Sequence, residues 1–157
     1  RKSCTTVIIT ERRTSELDEL YRDHSVALTR LAHVITGSNA VAQEVVHEAF
    51  LRFARATDVR EPAAYLRTIV VNLARTEVRR SARPLPRPTP LQFDEPAIDE
   101  TWQAVQRLPE KYRTALALRF YADMSEAQMA EHLDCRPGTV KSLVSRGLDL
   151  LRKELTP

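Results

Sequence analysis

The sequence predicts an all-α protein made of two small helical modules. Apolar residues recur at helical spacing through most of the chain, and no apolar–polar alternation persists long enough to suggest a sheet. Five prolines between residues 84 and 96 divide the predicted helices into two groups. A chain of 157 residues has room for one ordinary domain or for two small ones. We therefore expect two modules joined by a proline-rich linker.

The first module is predicted to contain three helices. Ser15 is placed to cap the first helix at its start, and Gly37 is placed to end it. Pro62 suits the first turn of the third helix. We assign the module to residues 15–82, after an N-terminal tail of residues 1–14. The predicted helices cover about residues 16–36, 39–56 and 62–80.

Residues 83–97 are predicted to form the extended linker, because proline removes a backbone donor and disfavours helix for the residue before it. The second module then covers residues 98–157. In this module Ser125 and Gln128 can form a capping box, and Pro137 can begin the last helix. The predicted helices cover about residues 98–107, 110–121, 126–133 and 137–155.

The net charge of +3 conceals two basic blocks. Residues 65–87 contain six arginines against one acidic residue, and residues 136–153 contain five basic residues against one acidic residue. Between these blocks, residues 91–110 contain five acidic residues against one arginine. This arrangement is typical of a chain with two surfaces that face anions.

The composition argues against several functional classes. Three widely spaced glycines cannot form the phosphate-binding loop of common nucleotide-binding enzymes. Two distant cysteines and four scattered histidines offer no metal-site spacing, so we predict no metal, no other cofactor and no enzyme activity. No stretch is apolar enough to span a membrane, and the cysteine usage fits a reducing cytoplasm. Trp102, Phe120 and Tyr121 are interpreted as core residues.

The most specific local pattern is a helix-turn-helix at residues 125–146. The outer side of its second helix places short polar side chains beside long cations, which suits base and phosphate contacts in a DNA major groove. A helical hairpin with a solvated basic face is the alternative interpretation. A second, weaker candidate for nucleic-acid binding is the third helix of the first module, on the face with Asn72, Arg75, Arg79 and Arg80.

Two long segments resemble a known family. Residues 17–80, with VVHEAFLRFARA and PAAYLRTIVVNLARTEVRR, resemble region 2 of the extracytoplasmic-function (ECF, group IV) sigma factors of bacterial RNA polymerase. Residues 108–155, with LPEKYRTALALRFYADMS and GTVKSLVSR, resemble region 4 of the same sigma-70 family, in its actinobacterial SigE-like form. The resemblance implies an alternative sigma factor that binds core polymerase and directs promoter-specific transcription initiation.

The resemblance also assigns residues to three surfaces. The second helix matches the segment that docks on the β′ subunit, with departures from the family pattern at Val41, Gln43 and His47 that reduce its acidity. The implied polymerase contacts are Glu44, His47 and Glu48. The loop at residues 56–61 and the third helix match the part that captures an unstacked base and guides the melted strand of the −10 element. The implied −10 contacts are Arg60, Tyr65, Thr68, Asn72, Arg75 and Arg79.

The last helix matches the part of the family that reads the −35 element, and Leu143 replaces a frequent arginine there. The implied −35 contacts are Arg136, Thr139, Lys141, Ser142, Ser145 and Arg146. The implied partners are promoter DNA and the β and β′ subunits of core RNA polymerase, and the resemblance allows an anti-sigma factor as well. It implies a location in the bacterial cytoplasm.

Two alternatives stay open on the sequence. One is a stand-alone helix-turn-helix regulator whose N-terminal half is a dimerisation or effector module. The other is a sigma-like protein that has lost initiation activity, which only the altered docking residues support.

Overall fold

The computed structural model describes the backbone of residues 3–81 and 98–156 and the side chains of residues 14–81 and 100–156. These residues form seven α-helices and no strand, which confirms the predicted all-α class. The predicted linker at residues 83–97 lies outside the described residues. The helices are α1 (Ser3–Thr36), α2 (Asn39–Arg55), α3 (Pro62–Arg80), α4 (Ile98–Arg107), α5 (Glu110–Phe120), α6 (Glu126–Leu133) and α7 (Pro137–Leu155).

The first helix begins earlier than the sequence indicated. We expected Ser15 to cap it after a tail of residues 1–14, but α1 extends back to Ser3. Residues 3–15 contain neither proline nor glycine, so nothing in them interrupts a helix. The helix can therefore extend from its packed part towards the N-terminus, because lengthening an existing helix avoids the cost of nucleation. The predicted end is correct: Gly37 has a left-handed φ of 72°, and its N–H donates to His33 O at 2.8 Å.

The first module is a bundle of α1, α2 and α3 around an apolar core. Leu31 and Ile35 of α1 are fully buried with Leu66 and Val70 of α3. Ser38 caps α2 by accepting a hydrogen bond from the Val41 N–H at 3.4 Å. The apolar stripe of each helix thus faces inward, and the polar side of α2 is left to solvent.

In the second module, α5 and α7 pack together and α6 leads into α7 through the predicted turn. The capping box is present, since the Gln128 N–H donates to Ser125 Oγ at 3.3 Å and the Ser125 N–H donates to Gln128 Oε1 at 2.9 Å. Asp134, with a φ of 51°, ends α6, and Pro137 starts α7. The predicted helix-turn-helix is therefore confirmed as a structural element.

The aromatic residues were predicted only in part. Trp102 is buried as expected, with 8% of its surface exposed. The core assignment of Phe120 and Tyr121 is wrong, since they are 61% and 51% exposed. Phe120 is the last residue of α5 and Tyr121 follows it with helical dihedrals, so both lie at the end of the helix, beyond the buried run 113–118.

Gly147 lies where α7 passes close to α5. A Cβ added at Gly147 would lie 3.2 Å from Leu116 Cγ, whereas one added at Gly138 would meet no atom within 4 Å. We expect Gly147→Val to lower the free energy of unfolding by about 1–3 kcal/mol, because overpacking forces neighbours to shift. Gly138→Val is the matched control for urea denaturation. Equal losses in both variants would show that α5 and α7 do not pack this closely.

Candidate nucleic-acid interface

The last helix presents a continuous polar surface. Val140 and Gly147 are buried against the module, which fixes the rotation of α7 and turns the predicted contact residues outward. Lys141 Nζ lies 3.7 Å from Glu126 Oε2; the Lys141 side chain is largely exposed and that of Glu126 is partly exposed. An ion pair of this kind contributes little to stability. The Lys141 ammonium can therefore leave the Glu126 carboxylate and bind a phosphate at a small cost in free energy. All six residues predicted for the −35 element are exposed: Arg136, Thr139, Lys141, Ser142, Ser145 and Arg146.

The third helix brings five of the predicted −10 residues onto one stripe, because their spacing alternates between three and four residues. Arg60 is exposed in the loop that precedes this helix. The exposed members of the stripe are Tyr65, Asn72 and Arg79, and the half-buried members are Thr68 and Arg75. The five residues thus lie on one face of α3, as the sequence predicted, and two of them, Thr68 and Arg75, are partly covered.

Arg75 differs from its neighbours on this stripe. Its guanidinium donates a hydrogen bond from Nη1 to the main-chain oxygen of His132 in α6. Burial lowers the pKa of Arg75, and the nearby Arg79 cation lowers it further. A guanidinium remains charged in proteins, so Arg75 stays a cation at this position. The structure therefore assigns to Arg75 a contact with the second module that the sequence did not predict.

An open cleft of about 510 Å³ lies beside the loop before α3. Its walls include Phe53 at the end of α2, Val59 in the loop and Leu17 of α1. Asp58 in this loop has a left-handed φ of 63°. The sequence predicted a role for the loop, but it did not predict that α1 forms one wall of the cleft. Leu17 and Val59 are far apart in the sequence and are brought together only by the packing of the helix bundle.

The outer face of α2 holds the residues predicted to dock on polymerase. Glu44 and His47 are exposed, and the Glu48 side chain, 44% exposed, accepts a hydrogen bond from Arg52 Nε at 2.7 Å. Val41, one of the departures from the family pattern, is half-buried and packs against the core. Its apolar character therefore has a structural reason within this chain.

The imidazole of His132 is expected to make stability depend on pH. Burial lowers the pKa of His132 and the Arg75 cation lowers it further, while Glu131 opposes the shift. Because the unfolded chain then binds more protons near pH 6, this stability is complete above about pH 6.5 and is lost as the pH falls below it. Urea titrations at several pH values should show a shallower pH dependence for His132→Gln than for the wild type. Identical dependences would contradict the shift.

No group of three or more His, Cys, Asp or Glu side chains in residues 14–81 and 100–156 could hold a metal ion. In the same part of the chain, the helices are too short or too polar to cross a membrane.

Comparison with known proteins decides the family. A model of Sigma-70 region 2 matches residues 20–84, and a model of Sigma-70 region 4 matches residues 98–151. The RNA polymerase sigma-E factor of Streptomyces coelicolor is 32% identical over 153 residues, which covers 89% of this chain and 86% of that protein. The chain belongs to the sigma-70 family, in its ECF group. The resemblance to the ECF sigma factors that the sequence predicted is thereby confirmed.

Other relatives agree with this assignment. The ECF RNA polymerase sigma factor SigE of Mycolicibacterium smegmatis is 29% identical over 156 residues, and this sigma factor spans 61% of its length. A solved structure, the sigma factor RpoE of Bartonella quintana in complex with the anti-sigma factor NepR, has the same fold. Its TM-score is 0.68 at 19% identity, and the match covers 87% of this chain and 96% of that one.

Proposed function

We propose that this sigma factor docks on core RNA polymerase through α2, reads the −35 element with α7 and opens the −10 element with α3 and the neighbouring cleft. The main support is the exposure of all six predicted −35 residues on a helix that starts at the turn of a helix-turn-helix. The first turns of such a helix approach base edges in the major groove. Placed there, Thr139 and Ser142 hydrogen-bond bases, whereas Lys141 and Arg146 contact phosphates.

The cleft beside the loop suits an unstacked base. Taking one base out of a duplex costs a few kcal/mol, which a pocket that stacks and holds the base partly recovers. Phe53 lines this cleft, and its ring centroid lies 6.2 Å from that of Tyr65, the first member of the α3 stripe. Aromatic faces beside cations are typical of surfaces that hold single-stranded DNA. Melting of this kind requires no protein nucleophile, so we propose a role other than that of an enzyme.

The exposed acidic groups of α2 suit a basic surface on polymerase. Glu44 and Glu48 lie one turn apart, so their carboxylates can face one partner together. The proposed partners are the β and β′ subunits, promoter DNA and an anti-sigma factor, in the bacterial cytoplasm where transcription takes place. The stand-alone regulator is disfavoured, because the region 2 match covers the half of the chain that it would use for dimerisation or effectors.

Complex formation tests this proposal. The purified chain, residues 1–157, mixed with core RNA polymerase should co-elute with the β and β′ subunits in size-exclusion chromatography. The chain alone should elute later, at the position of a small protein. Separate elution of the chain and core polymerase at micromolar concentrations would contradict the proposal.

A further inference from the structure

Glu126 is the first residue of α6, and the capping box of this helix does not use its side chain. The box is formed by the side chains and main-chain N–H groups of Ser125 and Gln128. The Glu126 carboxylate instead lies beside α7, where its Oε2 is 3.7 Å from Lys141 Nζ. An ion pair therefore joins the start of α6 to the early part of α7, across the helix-turn-helix.

This ion pair differs from those that form within a single helix. Glu48 and Arg52, for example, are four residues apart on α2 and meet because helical geometry places them side by side. Glu126 and Lys141 belong to different helices, so the tertiary structure sets the distance between them. Neither side chain is buried, and solvent reaches both. Lys141 is thus held beside a carboxylate but stays accessible to a second anion.

The pair lies where the helix-turn-helix would meet the DNA backbone. In complexes of this motif the first helix crosses the backbone, while the second helix enters the major groove. A phosphate oxygen bound to Lys141 would lie about 2.8 Å from Nζ, and therefore within about 6.5 Å of the Glu126 carboxylate. Two anions at this separation repel each other near a protein surface. The carboxylate and a phosphate therefore compete for the same ammonium group.

We propose that Glu126 is an internal competitor of DNA phosphate, which holds Lys141 in the unbound chain and must release it before α7 binds a duplex. This inference rests on the proposed function, which places α7 on promoter DNA. Phosphate contacts supply essentially all of the affinity for non-specific DNA. Glu126 therefore weakens binding to non-specific sites. Base contacts from Thr139 and Ser142 then carry a larger share of the binding free energy at a promoter.

Duplex binding by the purified chain, residues 1–157, tests this competition. The probe is a fluorescein-labelled DNA duplex of random sequence, followed by anisotropy in about 0.05 M salt, where phosphate contacts are stronger than at physiological salt. Glu126→Gln removes the charge and keeps the size of the side chain. We expect it to bind the duplex about two- to fivefold more tightly than the wild type, because no exposed ion pair has to be broken. Far-UV circular dichroism checks that α6 is retained.

A double-mutant cycle tests whether the carboxylate acts through Lys141. Lys141→Ala should weaken duplex binding, and Glu126→Gln in that background should give a smaller gain than in the wild type. Glu110→Gln is the matched control, because Glu110 is the exposed first residue of α5. It loses the same charge from the same position in a helix, and with it the same interaction with the helix dipole. We expect it to bind the duplex as the wild type does.

Unchanged or weaker binding by Glu126→Gln would overturn the inference. An equal gain with Glu110→Gln would also overturn it, by revealing a general effect of net charge. An undiminished gain in the Lys141→Ala background would show that the carboxylate does not act through Lys141. If Lys141→Ala binds as tightly as the wild type, the proposed contact of α7 with DNA is wrong and the competition is wrong with it. A chain that shows the expected cycle yet fails to join core polymerase would contradict the proposed function and support the competition.

Discussion

The double variant Lys141→Ala, Arg146→Ala is expected to bind a −35 promoter duplex about 30-fold more weakly than the wild type at ~0.15 M salt, when each is assembled with core polymerase. Each phosphate contact contributes about 0.9 to the slope of log affinity against log salt, so losing two lowers that slope by about 1.8. Both side chains are exposed on α7 and their removal leaves its buried face intact. The measurement is a salt titration of promoter binding by fluorescence anisotropy.

Arg152→Ala, Lys153→Ala is the matched control for this experiment. It removes the same charge from the same helix, from exposed positions in its last turn. We expect little change in its salt slope, because these residues lie far from the turn at which α7 begins. An unaltered slope in the Lys141 and Arg146 variant, or equal losses in both double variants, would show that the start of α7 does not contact DNA.

Glu48→Lys is expected to weaken binding to core polymerase by about tenfold or more, because reversing a charge at a complementary interface replaces attraction by repulsion. The fold should survive, since lysine is a good helix former and the side chain is partly exposed. Loss of the exposed pair with Arg52 costs little. Titration of labelled chain with core polymerase gives the dissociation constants.

The control for this variant is Glu19→Lys, which makes the same charge change at an exposed position of α1. It should bind core polymerase as the wild type does. Unchanged binding by Glu48→Lys would mean that α2 is not the docking helix. Equal weakening in both variants would indicate a general effect of net charge rather than a contact at Glu48.

The helices of the second module were largely predictable because capping residues and prolines close to their ends determine where they begin. Ser125 with Gln128 fixes one helix start and Pro137 fixes another, and each depends on residues within one turn. The start of α1 was missed because it lacks such a signal. Exposure of the −35 residues followed from the apolar periodicity of α7, which already determined its buried side.

The contacts between the modules could not be predicted in this way. The tertiary structure brings together His33, Trp102 and Arg113. Their spacing along the chain does not indicate that they are close in space. In the sequence, Arg113 looks like any cation on a helix. The residues that follow it, Thr114–Leu118, are all buried in the structure, and their mostly apolar character was the one sign in the sequence that Arg113 lies in a buried environment. The sequence shows on which face of α3 Arg75 lies, but its contact with His132 depends on where α6 lies.

Run-off transcription tests the central claim most directly. Purified chain, core RNA polymerase and a pool of genomic promoter fragments should yield discrete transcripts that are absent without the chain. Those transcripts should be strongly reduced with Glu48→Lys and with the Lys141 and Arg146 double variant, and retained with the two control variants. A reaction in which the wild-type chain produces no transcript beyond those of core polymerase alone would contradict promoter-directed initiation by this protein.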